Sequence, residues 1–403
     1  MQSLSLLWVP PIAATSWMVL LAALDTHRRL KHGVRMIPLA FALGMLSIPL
    51  STALYIGTAM LGLWYLPGAD RAFFEQFLIV GPVEETAKFL VFLGVVTIPG
   101  AMKEPKDGII LGATVALAFS VIENYGYAVE GGLSTHVYRS IITTPGHMIY
   151  GSLWGYAYGR ARVRSVSRRK GSAGEYGPVA AAVWGTAMLH GLYNYLLELG
   201  YPDLAMTTDL LAALVVAGWL HRLTLSSPFY NFPLRDYRRA IPAIQRGLRI
   251  DPRSIVLYRR LGLYLLYAGR FEMAVAAFDR YLAARPKSLY VRIYRGVALF
   301  LQGYEDRARE IIRLGAAKLE AAQRRAVRRH ISALVRDRGA RDELLTLVQT
   351  GGASATGIRA GTTGADLVSD GTRVLLDPRA RRRPADYRTE RNRRTPSAMS
   401  AGA

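Results

Sequence analysis

Glu84, Glu85 and Lys88, in the run Gly81-Pro82-Val83-Glu84-Glu85-Thr86-Ala87-Lys88, put two adjacent carboxylates and an amine inside an otherwise apolar stretch. Between Phe73 and Ile98 the one other charge is Glu75, near the entry, and the stretch is long enough to cross a bilayer at ~1.5 Å per residue. A charged side chain at the centre of a membrane helix costs roughly 2.5 to 3.5 kcal/mol, so a cluster of them points to function. On a helix, Glu84 and Lys88 share one face four residues apart with the acid first, the favourable order for an ion pair. Glu85 is turned about 100° away, and this spacing offers it no local partner.

Other groups complete a hydrolytic inventory. His147 follows a proline in Thr143-Thr144-Pro145-Gly146-His147, and His190-Gly191-Leu192-Tyr193-Asn194 sets an imidazole and an amide one turn apart. Glu123-Asn124 follow a ladder of small residues, Gly108, Gly112 and Ala116, that suits tight helix packing. A carboxylate near water can act as general base, which falls to Glu84 or Glu85. His147 can hold the water and shuttle the proton, His190 and Asn194 can donate to a tetrahedral oxyanion, and Lys88 can hold the glutamate pair. The same residues support zinc, with His147, His190 and Glu84 as three ligands and a fourth position left for water. There is no His-Glu-x-x-His, and chemistry without a metal is the preferred expectation. The plainer alternative is that these groups are ion pairs and interhelical hydrogen bonds in a membrane scaffold. A proton or ion transporter is the third, disfavoured by the lack of an inverted repeat. The chain has no cysteine, which excludes disulfides, a thiolate nucleophile and a Cys-ligated zinc.

These side chains need membrane helices to position them. Half of the 403 residues are apolar, yet the formal charge is +22, and the two properties are segregated: apolar runs lie before about residue 225 and most arginines after it. Seven spans are predicted, at 6 to 24, 37 to 66, 72 to 98, 109 to 129, 137 to 159, 178 to 198 and 204 to 220, the second tilted or kinked by Pro38 and Pro49. The first is read as a membrane helix and not as a cleaved signal, since Pro10-Pro11 interrupt it and no basic residue precedes it. Arg28, Arg29, Lys31 and Arg35 follow the first span, Lys103 and Lys106 the third, and Arg160, Arg162, Arg164, Arg168, Arg169 and Lys170 the fifth. The intervening loops hold only Arg71 and Arg139. That alternation places the amino terminus outside and the carboxyl end in the cytoplasm of a plasma membrane protein. It also brings Glu84, Glu123, His147, His190 and Asn194 into the outer half of the membrane, as a shared water-filled site requires.

After Arg222 a period of 34 emerges. Ala240, Ala274 and Ala308 align, as do Ile244, Phe278 and Ile312, Pro252 and Pro286, and Gly262 and Gly296. Tyr258 to Pro286 fits the tetratricopeptide pattern of paired helices, which implies a partner-binding array. Phe229 to Pro233 reads as an interfacial linker with aromatic anchors, and Ala321 to Leu347 as one basic capping helix. The expected organisation is a transmembrane domain at 1–225, a repeat array at 236–347, and a linker with a disordered arginine-rich tail at 348–403. Anionic lipid is the nearest partner for the basic loops and tail. Nucleic acid is disfavoured because no aromatic interleaving or binding fold accompanies the charge.

Taken in order, Glu84-Glu85-x-x-Lys88, the segment from Gly112 to Glu123-Asn124, Arg139 with His147, and His190-x-x-x-Asn194 resemble the motifs of the PrsW family, intramembrane proteases related to the CAAX-processing and bacteriocin-immunity membrane proteases. The resemblance covers residues 72 to 198. It departs at Ser120, after Ala118-Phe119, where the family's phenylalanine is followed by alanine, and at Ala116, where glycine is common. It implies an all-α membrane bundle that cleaves a membrane-anchored protein, an anti-sigma factor being the best-known substrate type. It also implies that the first glutamate of the pair is the base and that Glu123, Asn124 and Arg139 support the site.

Overall fold

The computed structural model describes residues 2–25, 35–65, 71–168 and 176–351, and every regular element among them is helical. The protein is therefore all-α. Arg28, Arg29, Lys31, Arg169, Lys170 and the predicted tail lie outside the described residues. The first part comprises α1 (Gln2–Leu24), α2 (Met36–Gly44), α3 (Ser47–Met60), α4 (Arg71–Phe74), a π-helical segment (Glu75–Val80), α5 (Gly81–Thr97), α6 (Pro105–Ile141), α7 (Thr143–Arg168), α8 (Gly177–Glu198) and α9 (Pro202–Ser226). Three stretches, Met36–Met60, Pro105–Tyr127 and Pro202–Ser226, are long and apolar enough to cross a membrane, and Pro11–Leu24 is a shorter apolar helix. The most apolar part of Pro105–Tyr127 is 78% buried against 22% and 11% for the other two, so α6 is the central helix of the bundle.

Local chemistry shapes the rods. The second predicted span breaks after Gly44, at Met45, four residues ahead of Pro49. The proline ring excludes the Met45 carbonyl from an α bond, and that carbonyl accepts from Ile48 N instead. The π segment lies directly ahead of Gly81-Pro82. A Cβ at Gly81 would strike the Ala187 carbonyl, and one at Gly191 the Gln76 carbonyl, so two glycines let α8 lie against this widened turn.

α6 and α7 meet along facing glycines. A Cβ at Gly108 would run into the Gly155 carbonyl, one at Gly112 into the Gly151 carbonyl, and one at Gly159 into the Pro105 carbonyl. This is the small-residue packing of membrane helices, and the ladder expected on α6 has its counterpart on α7. Ala116 fits the same interface, against Gly151.

The fourth and fifth predicted spans are divided differently in the structure. The helix continues past residue 129, the chain turns at Gly132, whose φ is 76°, and a short returning helical stretch ends at Ile141 before α7 begins. The turn lets Arg139 reach back to Asn124, so Arg139 sits on a helix folded against the site and not in a connecting loop. A residue with a Cβ is strained at positive φ. Gly132→Ala is expected to cost about 1–2 kcal/mol and to weaken the Arg139 contacts, measurable as a lower Tm in detergent.

The second part consists of α10 (Tyr237–Ile250), α11 (Ile255–Tyr267), α12 (Phe271–Ala284), α13 (Leu289–Leu301), α14 (Glu305–Ala317), α15 (Ala321–Leu334) and α16 (Arg338–Thr350). Positions 34 apart occupy equivalent places. Ala240, Ala274 and Ala308 are all fully buried, as are Ile244, Phe278 and Ile312. Gly262 packs on Phe278 as Gly296 packs on Ile312. The linker expectation fails for Phe229 and Phe232, which are buried in the core of this array; Tyr264 donates to the Phe232 carbonyl at 2.6 Å, and Arg260 to that of Tyr230. Their aromatic rings have a protein core to enter and do not need a membrane interface.

The single basic helix expected at 321–347 is two helices. Val335 and Asp337 are extended, and Asp337 caps α16 by accepting from Ala340 N at 2.8 Å. α16 packs on α14, while α15 reaches back to α11. The buried phenol of Tyr294 on α13, pushed up to about 12 by burial, bonds His330 Nδ1 at 2.6 Å. α16 runs to Thr350 with Val348 buried, beyond the expected end at Leu347. Lys103, between α5 and α6, pairs with Asp251 of the array at 3.2 Å, and α10 lies against α7.

Candidate active site

Lys88 is the hub of the cluster. It is fully buried, and its Nζ donates to Glu84 Oε2 at 3.2 Å and to Glu85 Oε1 at 2.9 Å. It lies 3.0 Å from His147 Nδ1 and 4.0 Å above the Phe119 ring. Glu85 thus has the local partner that the helical spacing appeared to deny it. Residues three and four apart flank the same lysine, and a long side chain between them reaches both.

The two carboxylates have different surroundings. Glu85 is fully buried; besides Lys88 it meets His190 Nδ1 at 3.2 Å and accepts from Trp154 Nε1 at 3.1 Å. Glu84 borders a cavity of about 430 Å³ and accepts from Tyr55 OH at 3.0 Å. His190 Nε2 lies 3.8 Å from Glu84 Oε2, and the His147 and His190 rings stand nearly perpendicular with centroids 5.1 Å apart. Four helices therefore deliver their polar residues to one space: Glu84 from α5, Glu123 and Arg139 from α6, His147 from α7, and His190 and Asn194 from α8 all line the cavity.

Glu123 is tied to both sides of it. One oxygen pairs with Arg139 at 3.1 Å. The other, Oε2, lies 3.1 Å from His147 Nε2 but is out of line for a hydrogen bond and buried without one. Asn124 accepts from Arg139 Nε at 2.8 Å and donates to Thr144 at 2.9 Å, and Ser120 joins the same group through Thr144 at 3.0 Å. The serine at the departure from the family pattern is thereby a satisfied buried hydroxyl. Asn194 has a partner that the spacing did not indicate: its amide donates to Gln76 Oε1 at 3.0 Å, and Gln76 donates to Glu198 at 2.6 Å. It shares the cavity with His190 but is held by the π segment.

Several members were not singled out from the sequence. Tyr150, Gly151 and Trp154 fall three, four and seven residues after His147, the periodicity of one helix face, and that signal was available. Asp209 is an acid within an apolar span, which is itself a signal. Tyr55 and Gln76 carry no such mark.

The donors suit a divalent metal. Glu84, His147 and His190 each offer an atom within 4.8 Å of the others. Two imidazoles and a carboxylate are a zinc-type set, and Glu85 stands at the remaining nitrogen of His190, as carboxylates behind metal-binding histidines do.

Residues 32–220 match the profile of the PrsW family intramembrane metalloprotease. This segment belongs to the PrsW family. Similar proteins include Protease PrsW of Shouchella clausii, 30% identical over 125 residues that make up 31% of this chain and 54% of that protein. Protease PrsW of Oceanobacillus iheyensis is 27% identical over 32% of this chain and 57% of its own length. That of Geobacillus kaustophilus is 28% identical over 43% and 75%. The chain thus spans about half the length of the first two of these curated relatives. No solved structure matches it significantly. The PrsW segment contains every residue of the cluster, and the array from Phe229 onward lies beyond it.

Proposed function

We propose that the protein is an intramembrane endopeptidase that hydrolyses a peptide bond of a membrane-anchored protein, of the anti-sigma-factor kind, in the outer half of the plasma membrane. The observation that carries this reading is the convergence of Glu84, His147 and His190 from three helices within 4.8 Å, on the wall of one cavity. A scaffold would pair these groups off separately. Seven spans with the amino terminus outside put the array in the cytoplasm, where it recruits a protein or peptide, with anionic lipid drawn to the basic loops. On this reading the units are a protease domain over 1–225, a tetratricopeptide-like array that begins with the buried Phe229 and ends with α16 at Thr350, and a linker and tail after it.

In place of the metal-free chemistry preferred on sequence grounds, we infer that Glu84, His147 and His190 hold a divalent ion. Glu84, Glu85 and Glu123 against Lys88 and Arg139 leave these five groups with one net negative charge when the imidazoles are neutral, and a cation relieves it. When bound, such an ion acts as a Lewis acid towards the scissile carbonyl and lowers the pKa of water. Glu85 orients His190 through Nδ1 and does not touch substrate. Glu123, on the cavity wall, takes the proton from the attacking water, and Arg139 holds its carboxylate by Oε1. Asn194 with Gln76 offers an amide edge to the substrate main chain.

The test is metal analysis of the purified full chain, with cleavage of a single-span reporter protein followed through chelation and zinc add-back. Near-stoichiometric zinc, activity lost on chelation and activity restored by zinc are expected. Full cleavage by thoroughly metal-free protein would return the chemistry to a glutamate base alone.

A further inference from the structure

We propose that Tyr150 and Asp209 form a positioning pair that fixes the ring of His190, which makes α9 a working part of the site and not only an enclosing helix. This rests on the reading of His190 as a residue of the catalytic centre. Tyr150 is buried on α7, and its hydroxyl donates to Asp209 Oδ1 of α9 at 2.5 Å. Its ring lies nearly parallel to that of His190, with centroids 5.5 Å apart and planes 28° from each other. His190 is thus held at Nδ1 by Glu85, edge-on by His147 and along one face by Tyr150. The first contact fixes where the ring's edge points; the stacked tyrosine opposes rotation about the bond that would carry Nε2 away from Glu84.

The backbone is shaped to admit this pair. A Cβ at Gly146, one residue before His147, would collide with the Asp209 carboxylate, so the glycine lets an acid from α9 lie directly on α7. Asp209 borders the same cavity as Glu84 and His190. It sits within a helix apolar enough to span a membrane, where a carboxylate is costly unless it has a task. Among the described residues, its hydrogen bond is the one to Tyr150. A carboxylate accepting from a phenol yields a short, directional bond, suited to locking a ring whose displacement by a fraction of an ångström would misplace a ligand nitrogen.

The test uses full-length protein in detergent as Tyr150→Phe, Asp209→Ala, Asp209→Asn and the double variant Tyr150→Phe/Asp209→Ala, with Glu84→Gln as control for the site itself. Zn²⁺ affinity is measured by competition with a chromophoric chelator. kcat and KM are measured on a single-span reporter that the wild type cleaves. Tyr150→Phe and Asp209→Ala are each expected to weaken Zn²⁺ binding by roughly 10- to 100-fold, the usual effect of losing a group behind a metal ligand. They should lower kcat by about tenfold or more with KM nearly unchanged. The double variant should be no worse than the poorer single one, because either change breaks the same bond. Asp209→Asn keeps an acceptor for the hydroxyl and should stay close to wild type.

Wild-type affinity and kcat in Asp209→Ala, additive losses in the double variant, or a lower Tm with kcat intact would each overturn the pair while leaving the protease reading in place. Cleavage by Glu84→Gln would instead remove that reading. If wild-type protein binds no zinc, the kcat comparison decides alone.

Discussion

Glu84→Gln is expected to abolish reporter cleavage, by roughly 10³-fold or more, in a protein that unfolds close to the wild-type Tm. Glu84 borders the cavity, so loss of its charge leaves no sealed, unpaired group, and Lys88 keeps Glu85 and the nearby His147 ring as partners. Glu85→Gln should behave differently. Glu85 is fully enclosed and meets Lys88, His190 and Trp154, which an amide cannot satisfy together because its nitrogen would face a donor. Loss of activity there should come with a stability loss of about 3 kcal/mol. Equal Tm values for the two variants would show that the glutamates are not divided between a cavity-facing and a buried role. His147→Ala and His190→Ala should both be inactive, and retained proteolysis in either would remove the role given to that residue.

Gly112→Leu should strongly destabilise the bundle. A Cβ at residue 112 already meets the Gly151 carbonyl and comes within 3.0 Å of the Trp154 ring, so a larger side chain must push α6 and α7 apart. Backbone cannot yield as a side chain end can, and the cost is expected at about 3 kcal/mol, the upper part of the usual range for overpacking. The site fails with it, since α6 carries Glu123 and α7 carries His147 and Trp154. Gly126→Ala is the control: open space surrounds that position, and the substitution should be neutral or stabilising by about 0.5–1 kcal/mol. Thermal unfolding of the two variants in one detergent checks both; similar Tm values would mean that the glycine faces do not set the helix spacing.

Much of the architecture follows from local pattern. Apolar runs of membrane length, the 34-residue period and the small-residue ladder each depend on neighbours a few positions apart, and helices obey such spacing directly. The positions that part company with pattern are those governed by one strained or long residue. Gly132 reverses the chain inside an apparently continuous helix, Pro49 ends α2 earlier than hydropathy does, and Asp337 divides a basic stretch whose charge is uniform. Phe229 and Phe232 went to a protein core because a core was within reach, which their aromatic character could not report.

The sequence by itself determined which chemical groups are present and on which helices: the acids, imidazoles and amides, the absence of thiols, and the ordered motifs that mark residues 72 to 198 as PrsW-like. Tertiary structure alone decided how those groups divide their work, because partners 59 to 105 residues apart along the chain meet only when helices pack. That packing buried Glu85 while leaving Glu84 on the cavity, drew Asn194 towards Gln76, and brought Asp209 into the group. Helical periodicity sets the direction in which a side chain leaves its own axis, but not which neighbouring helix lies across from it.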